Sequence, residues 1–191
     1  MRTRAFIVIA VAALALAGCG NRNLVLKVDV LSYLEAAQKS FNVPVVPAVG
    51  VVGEIPIIES MPISLIEGLD ETAKVKSVTL SLGAGVTVAS GSGSAHFKLY
   101  LSDEDTVPLT TTPVINALVT FSAGAPGIVD ATFPDADVDP GEQLRVAELF
   151  THKNLRLAVV LDQVNITSTV TDMTVTITKL DAIVIAGRKA F

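Results

Sequence analysis

The chain has 191 residues, a formal charge of −5, one cysteine, two histidines and no tryptophan, and 50% of its residues are hydrophobic. That length suits a single domain that buries a core without disulfides. The acidic balance lacks the basic footprint that nucleic acid requires, and the scarcity of Cys and His excludes structural zinc, haem attachment and thiol redox chemistry.

Residues 1–18 have the layout of an export signal. Arg2 and Arg4 make a basic start, and Ala5 to Ala17 follow without a polar side chain. As a helix that run reaches about 20 Å, too short for a comfortable span of a ~30 Å hydrocarbon core. It leads into Leu16-Ala17-Gly18-Cys19, which holds the chain's one cysteine. This segment resembles the lipobox of bacterial lipoproteins. The resemblance implies cleavage before Cys19 and acylation of its thiol and amine. One acyl chain holds a protein marginally and two or three hold it stably, so residence on a membrane is expected. Gly20 at the next position, where an Asp resembles an inner-membrane retention signal in enterobacteria, points towards the outer membrane. The resemblance covers about the first twenty residues and carries nothing about the domain behind them.

Loss of Arg2 and Arg4 with the signal takes the net charge from −5 to −7. That charge disfavours peripheral binding to anionic lipid and leaves lipidated Cys19 as the expected main membrane contact. Residues 19–23 form a short tether, because four residues reach about 13 Å when extended. The folded domain, residues 24–191, is expected close against the bilayer.

Beyond the tether, period-two alternation dominates, the signature of strands with one buried face. Leu24 to Tyr33 reads as strand, followed by at most a turn or two of helix where Glu35 and Lys39 make an i,i+4 pair. Val43 to Leu69 is rich in Val and Ile but interrupted by Pro44, Pro47, Pro56 and Pro62. Proline cannot donate to a ladder, so this stretch belongs on edge strands or extended connections, or forms an apolar partner surface. Lys76 to Leu82 alternates, and Gly83-Ala84-Gly85 continues its strand pattern. Ser90-Gly91-Ser92-Gly93-Ser94 reads as a flexible hairpin loop. His96, Lys98 and Tyr100 then oppose Phe97, Leu99 and Leu101.

Val114 to Phe121 is a further strand candidate. Gly141 to Lys153, after Asp139-Pro140, reads as a short helix. Leu155 to Ile166, Met173 to Thr178 and Leu180 to Ala186 complete the strands. The expected fold is all-β: an antiparallel immunoglobulin-like β-sandwich of about seven to nine strands with one short connecting helix. In strand pattern alone it is similar to the water-stress late-embryogenesis-abundant proteins, a likeness that implies no function.

Candidate chemistry is sparse. Asp135, Asp137 and Asp139 alternate in one loop, with Asp130 upstream, and alternating carboxylates can converge on calcium. The EF-hand pattern fails, since Pro140 stands where that loop needs Gly and Val146 where it needs Glu. The bland reading is a solvated turn that caps the helix through Asp139 or Glu142. Asp103-Glu104-Asp105 is a second acidic turn. Ser92, Ser94 and His96 are close in sequence, but there is no G-x-S-x-G elbow. His152 reads as a helix C-terminal residue favoured by the dipole, and Thr174, Thr176 and Thr178 as the ordinary wet face of a strand.

The reading is therefore a non-enzymatic binding or structural module, lipid-anchored at the cell envelope on the extracytoplasmic side. It would contact an envelope protein partner through Val43 to Leu69 or a sheet edge. The alternative is a carrier of a lipid or small apolar ligand, which needs a cavity of ~300 Å³ or more between the sheets. No cofactor is expected apart from the calcium that Asp135, Asp137 and Asp139 could hold.

Overall fold

A computed structural model describes residues 23–43, 50–64, 73–152 and 154–188. The signal segment and Cys19 lie outside the described residues, as do parts of the Val43 to Leu69 stretch. The strands are β1 (Asn23–Asp29), β2 (Ser40–Val43), β3 (Gly50–Val52), β4 (Ile55–Ser64), β5 (Ala73–Thr87), β6 (Ser90–Asp103), β7 (Ile115–Ser122), β8 (Gly127–Phe133), β9 (Asn154–Thr171) and β10 (Met173–Arg188). Among the described residues two α-helices accompany them, α1 (Ala36–Lys39) and α2 (Pro140–Leu149). Among the described residues no helix is long and apolar enough to cross a membrane.

The strands form two antiparallel sheets packed face to face, the all-β sandwich that the alternation predicts. The first sheet runs β1–β10–β5–β8, with β2 beside β10, and the second runs β3–β9–β6–β7, with β4 beside β9. In each sheet one outermost row is broken in two. β1 lies against Asp181–Gly187 of β10 and β2 against Met173–Thr176. In the second sheet β3 lies against Val164–Ile166 of β9 and β4 against Asn154–Leu161. Ten segments thus make eight rows, within the expected range once the two broken rows are each counted once.

Local chemistry explains the breaks. β1 ends at Asp29, whose carboxylate accepts the Ser32 amide at 3.2 Å while its carbonyl takes the Ser32 hydroxyl at 2.8 Å. These bonds close a 3-10 turn over Val30–Tyr33, so the expected strand over Leu24 to Tyr33 stops four residues early. In β4, Pro56 and Pro62 sit on a row whose other edge is unpaired among the described residues, and bulges lie between Pro56 and Met61. That is where a sheet tolerates proline.

The glycine- and serine-rich stretch from Ser90 corrects its reading as a loop: it is the start of β6. Small residues are needed because β9 passes close. A Cβ on Gly91, whose φ is +82°, would lie 2.2 Å from the Thr169 carbonyl oxygen. One on Gly93 would lie 2.6 Å from that of Asn165. Ser92 bonds the hydroxyls of Thr167 and Ser168 at 2.9 and 3.0 Å, and Ser90 that of Thr171 at 2.8 Å. Met173 to Thr178 and Leu180 to Ala186 join into one strand, β10, with a bulge between Ile177 and Lys179.

The core lies between the sheets, with Phe97, Phe133, Leu82, Leu161 and Ile166 among its fully buried side chains. Helix α2 takes up the side left open where β8 stops opposite Leu80 and β7 starts opposite Leu99. It packs on β5 and β6 and buries Val146, Ala147 and Phe150. An internal void of about 10 Å³ next to Leu80, Leu101 and Phe150 is about one water's worth of space.

Candidate functional site

A set of interacting charged and polar side chains lies on the outer face of the second sheet. Alternation along β6 turns Phe97, Leu99 and Leu101 into the core and His96 and Lys98 outward, as the sequence predicts. Register then brings in residues that no local pattern reveals. His96 stands opposite Asp162 of β9 and Leu118 of β7, and Lys98 opposite Val160 and Asn116. Diagonal contacts join them. Lys98 Nζ forms an ion pair with Asp162 Oδ2, the two side chains being 17% and 21% exposed, and His96 Nδ1 lies 2.8 Å from Asn116 Oδ1.

A bulge in β9 permits this arrangement. Gln163 adopts φ +49°, and the register with β6 shifts between Ser94 and His96. The shift lets both Asp162 and Gln163 avoid the core, a known way of re-aiming a side chain. One step along the sheet, Tyr100, Ala158 and Val160 are buried on this outer face beneath Leu109. Leu109 belongs to the 3-10 turn Pro108–Thr110.

The electrostatics follow from the contacts. The hydrogen bond to Asp162 raises the Lys98 pKa against the opposing effect of burial, and the bond from Lys98 lowers that of Asp162 against the same opposition. Burial raises the Tyr100 hydroxyl. Lysine, carboxylate and phenol are therefore held in their ordinary charge states around neutral pH. The face carries one lysine and one carboxylate of fixed charge, with Leu118 and Val107 exposed within and beside it.

The other sequence candidates are placed as follows. Asp135 and Asp139 turn back on their own loop: Asp135 Oδ1 accepts the Asp137 amide at 3.0 Å, and Asp139 Oδ1 accepts the Gly141 amide at 2.7 Å. Asp139 is the N-cap of α2, satisfying an otherwise orphaned helix donor. Among the described residues no three acidic, His or Cys side chains come together as a metal-binding group. Asp103, Glu104 and Asp105 line a shallow polar groove of about 180 Å³ with His152 and Asn154. There the Asp103 carboxyl accepts from Thr106, which lowers its pKa, Asn154 donates to Glu104 at 2.8 Å, and Arg156 donates to the Glu104 carbonyl at 2.7 Å. The hydroxyl of Ser92 is engaged by β9 and His96 by Asn116, so the structure does not bring them together as a nucleophile and base. Thr174 bonds Asn42 at 2.9 Å. In the Val43 to Leu69 stretch, Ile57, Ile58 and Ile63 face the core, leaving Val51, Pro56 and Pro62 exposed. Among the described residues of that stretch, the isoleucines of β4 serve the core.

No family model and no curated protein matches the chain. Among solved structures it is similar to the dimeric latent PorU from Porphyromonas gingivalis, with a TM-score of 0.38 and 11% identity over 93% of this chain and 14% of that one. It is also similar to a structure of infectious bursal disease virus, Gx strain, with a TM-score of 0.32 and 15% identity over 97% of this chain and 43% of that one. The chain thus spans less than half the length of either.

Proposed function

We propose that this chain is a lipid-anchored extracytoplasmic protein whose β-sandwich serves as a non-enzymatic binding or structural module at the cell envelope. The observation that carries the anchoring is the position of Cys19, directly after Leu16-Ala17-Gly18 and four residues before the first strand begins at Asn23. A tether of that length, about 13 Å at most, ties the sandwich to the membrane by the end where β1 starts and β10 finishes.

The module reading is favoured over the carrier because the space between the sheets is occupied by side chains. A void of about 10 Å³ falls far below the ~300 Å³ of a typical ligand pocket. The binding surface that fits best is the outer face of the second sheet. It combines the fixed Lys98–Asp162 pair with His96, Asn116 and exposed Leu118 on paired, rigid strands.

Metabolic labelling with a fatty acid, followed by affinity purification of the membrane fraction and mass spectrometry of co-purifying lipids and proteins, tests both parts. The label enters the wild type and is lost in Cys19→Ser, and a protein partner is recovered that Leu118→Glu releases. A variant that fractionates and migrates like wild type rejects the anchor. A stoichiometric lipid held by the Cys19→Ser chain supports the carrier instead.

A further inference from the structure

We propose that the outer face of the first sheet, beside the tether, is a second membrane contact that lays the sandwich on an anionic phospholipid surface; this rests on the lipid-anchored reading above. Although the whole chain is acidic, three lysines among the described residues fall together on this face. On this face β1 presents Val25 and Lys27, β10 presents Ile183 and Ile185, and β5 presents Lys74 and Lys76. Register makes them one patch, with Val25 opposite Ile185, Lys27 opposite Ile183, and Lys74 opposite Gly187. Val25 is 58% exposed and Ile183 36%.

A bulge organises the cationic part. The register of β5 with β10 shifts between Ile185 and Ala186, leaving Lys76 as the extra residue. Its side chain crosses Gly187, where an added Cβ would lie 2.3 Å from Lys76 Cε, and its Nζ donates to Asn23 Oδ1 at 2.7 Å. Lys76 is thereby fixed at the first residue of β1, where the tether joins. Three acids share this face: Asp29 and Asp181 stand opposite each other at the far end of β1, with Asp29 turned to Ser32, and Asp130 of β8 stands opposite Gly83 of β5. Among the described residues, the end of this face nearest Cys19 is therefore lysine and aliphatic, with its acids beyond it.

Lysines near an anionic surface act cumulatively, and three of them shift the balance between lying down and standing free on the order of a hundredfold. Because the tether holds Asn23 within about 13 Å of the bilayer, no separate recruitment step is needed. The second sheet's outer face, with His96, Lys98 and Leu118, is then directed away from the lipid.

The chain's one cysteine is the acylated residue, so a single introduced cysteine takes a fluorescent label alone. The full acylated protein, carrying Ser77→Cys or Leu118→Cys, is reconstituted into vesicles of phosphatidylcholine with and without phosphatidylglycerol, with a quencher on the lipid headgroups. With phosphatidylglycerol, quenching is strong at position 77 and weak at 118. High salt abolishes the difference, as does the combined change Lys27→Glu, Lys74→Glu and Lys76→Glu, in a protein whose circular dichroism is unchanged. Equal quenching at the two positions in an acylated protein overturns the membrane-facing surface while leaving the anchor intact. Persistence of the difference in high salt overturns it without reliance on the triple variant. A chain that carries no acyl group overturns both.

Discussion

The two sheets are built on one plan and finished differently. Each has a broken outermost row, a long second row and two further strands, and the two pack through equivalent inner faces. Their outer faces diverge. On the second sheet the turn carrying Leu109 covers Tyr100, Ala158 and Val160, and a half-buried ion pair lies beside them. On the first sheet Val25 and Ile183 are left exposed among lysines. The sequence of β9 reflects its cover: Leu157 to Leu161 is an unbroken apolar run because both faces are buried. β10 alternates from Met173 to Thr178, where one face is open, whereas Ala182 to Ala186 is apolar throughout although Ile183 is exposed. A sheet's outer face is thus decided by what a distant loop lays over it.

The largest effect expected lies in what the sheets share. Phe97 is fully buried between them, and Phe97→Ala removes about 3–5 kcal/mol, the usual cost of an aromatic deletion in a core. At about 2–4 °C per kcal/mol for a domain of this size, thermal melting registers a fall of roughly 10 °C. A fall of a degree or two contradicts the packed interior that weighs against a carrier.

Next comes the asymmetry itself. Tyr100 on the second sheet is 6% exposed and Ile183 on the first is 36%. Tyr100→Ala is expected to cost about 2–3 kcal/mol and Ile183→Ala about 1 kcal/mol or less. Urea midpoints at constant m-value compare them directly, and equal losses erase the difference between the faces.

Smaller still is the ion pair, about 1 kcal/mol after allowance for solvent screening. Its pH dependence has a defined sign. The folded-state pKa of Asp162 is lowered, so its contribution is full above the unfolded value of about 3.9 and is lost as pH falls through the folded value. That of Lys98 is raised, so its contribution is full below about 10.4 and is lost as pH rises through the folded value. The gap in melting temperature between wild type and Asp162→Asn should therefore be level from pH 5 to 9 and close in acid. A gap that widens below pH 4 contradicts the pair.

The smallest effect concerns the turn before α2, which belongs to neither face. With Asp135 and Asp139 each bonded to a nearby backbone amide, melting with calcium and with chelator should give equal midpoints at matched ionic strength. A rise of several degrees with calcium restores the metal reading.

Much of the fold was legible because alternation is local. The outward placement of His96 and Lys98 and the helix after Asp139 both follow from nearest neighbours in sequence. Tyr100 was legible as outward but not as buried, since Leu109 reaches it through a turn. Ser90 to Ser94 misled for a similar reason. Gly and Ser signal loops when nothing lies beside them, and here Thr169 and Asn165 approach too closely for any larger residue. The Lys98–Asp162 pair spans 64 positions and depends on a bulge at Gln163, so spacing along the chain gives no hint of it. The lysine patch on the first sheet is hidden in the same way, scattered over β1 and β5 in a chain whose average charge is acidic.

On the proposed reading Cys19 holds this sandwich at the membrane, and its two outer faces meet different surroundings. The most direct measurement is the intact mass of the protein extracted from the membrane fraction of the producing cell. The expected species begins at Cys19 and carries two or three acyl chains on it. A chain that retains residues 1–18, or one that has a free Cys19 thiol and no added mass, would contradict it.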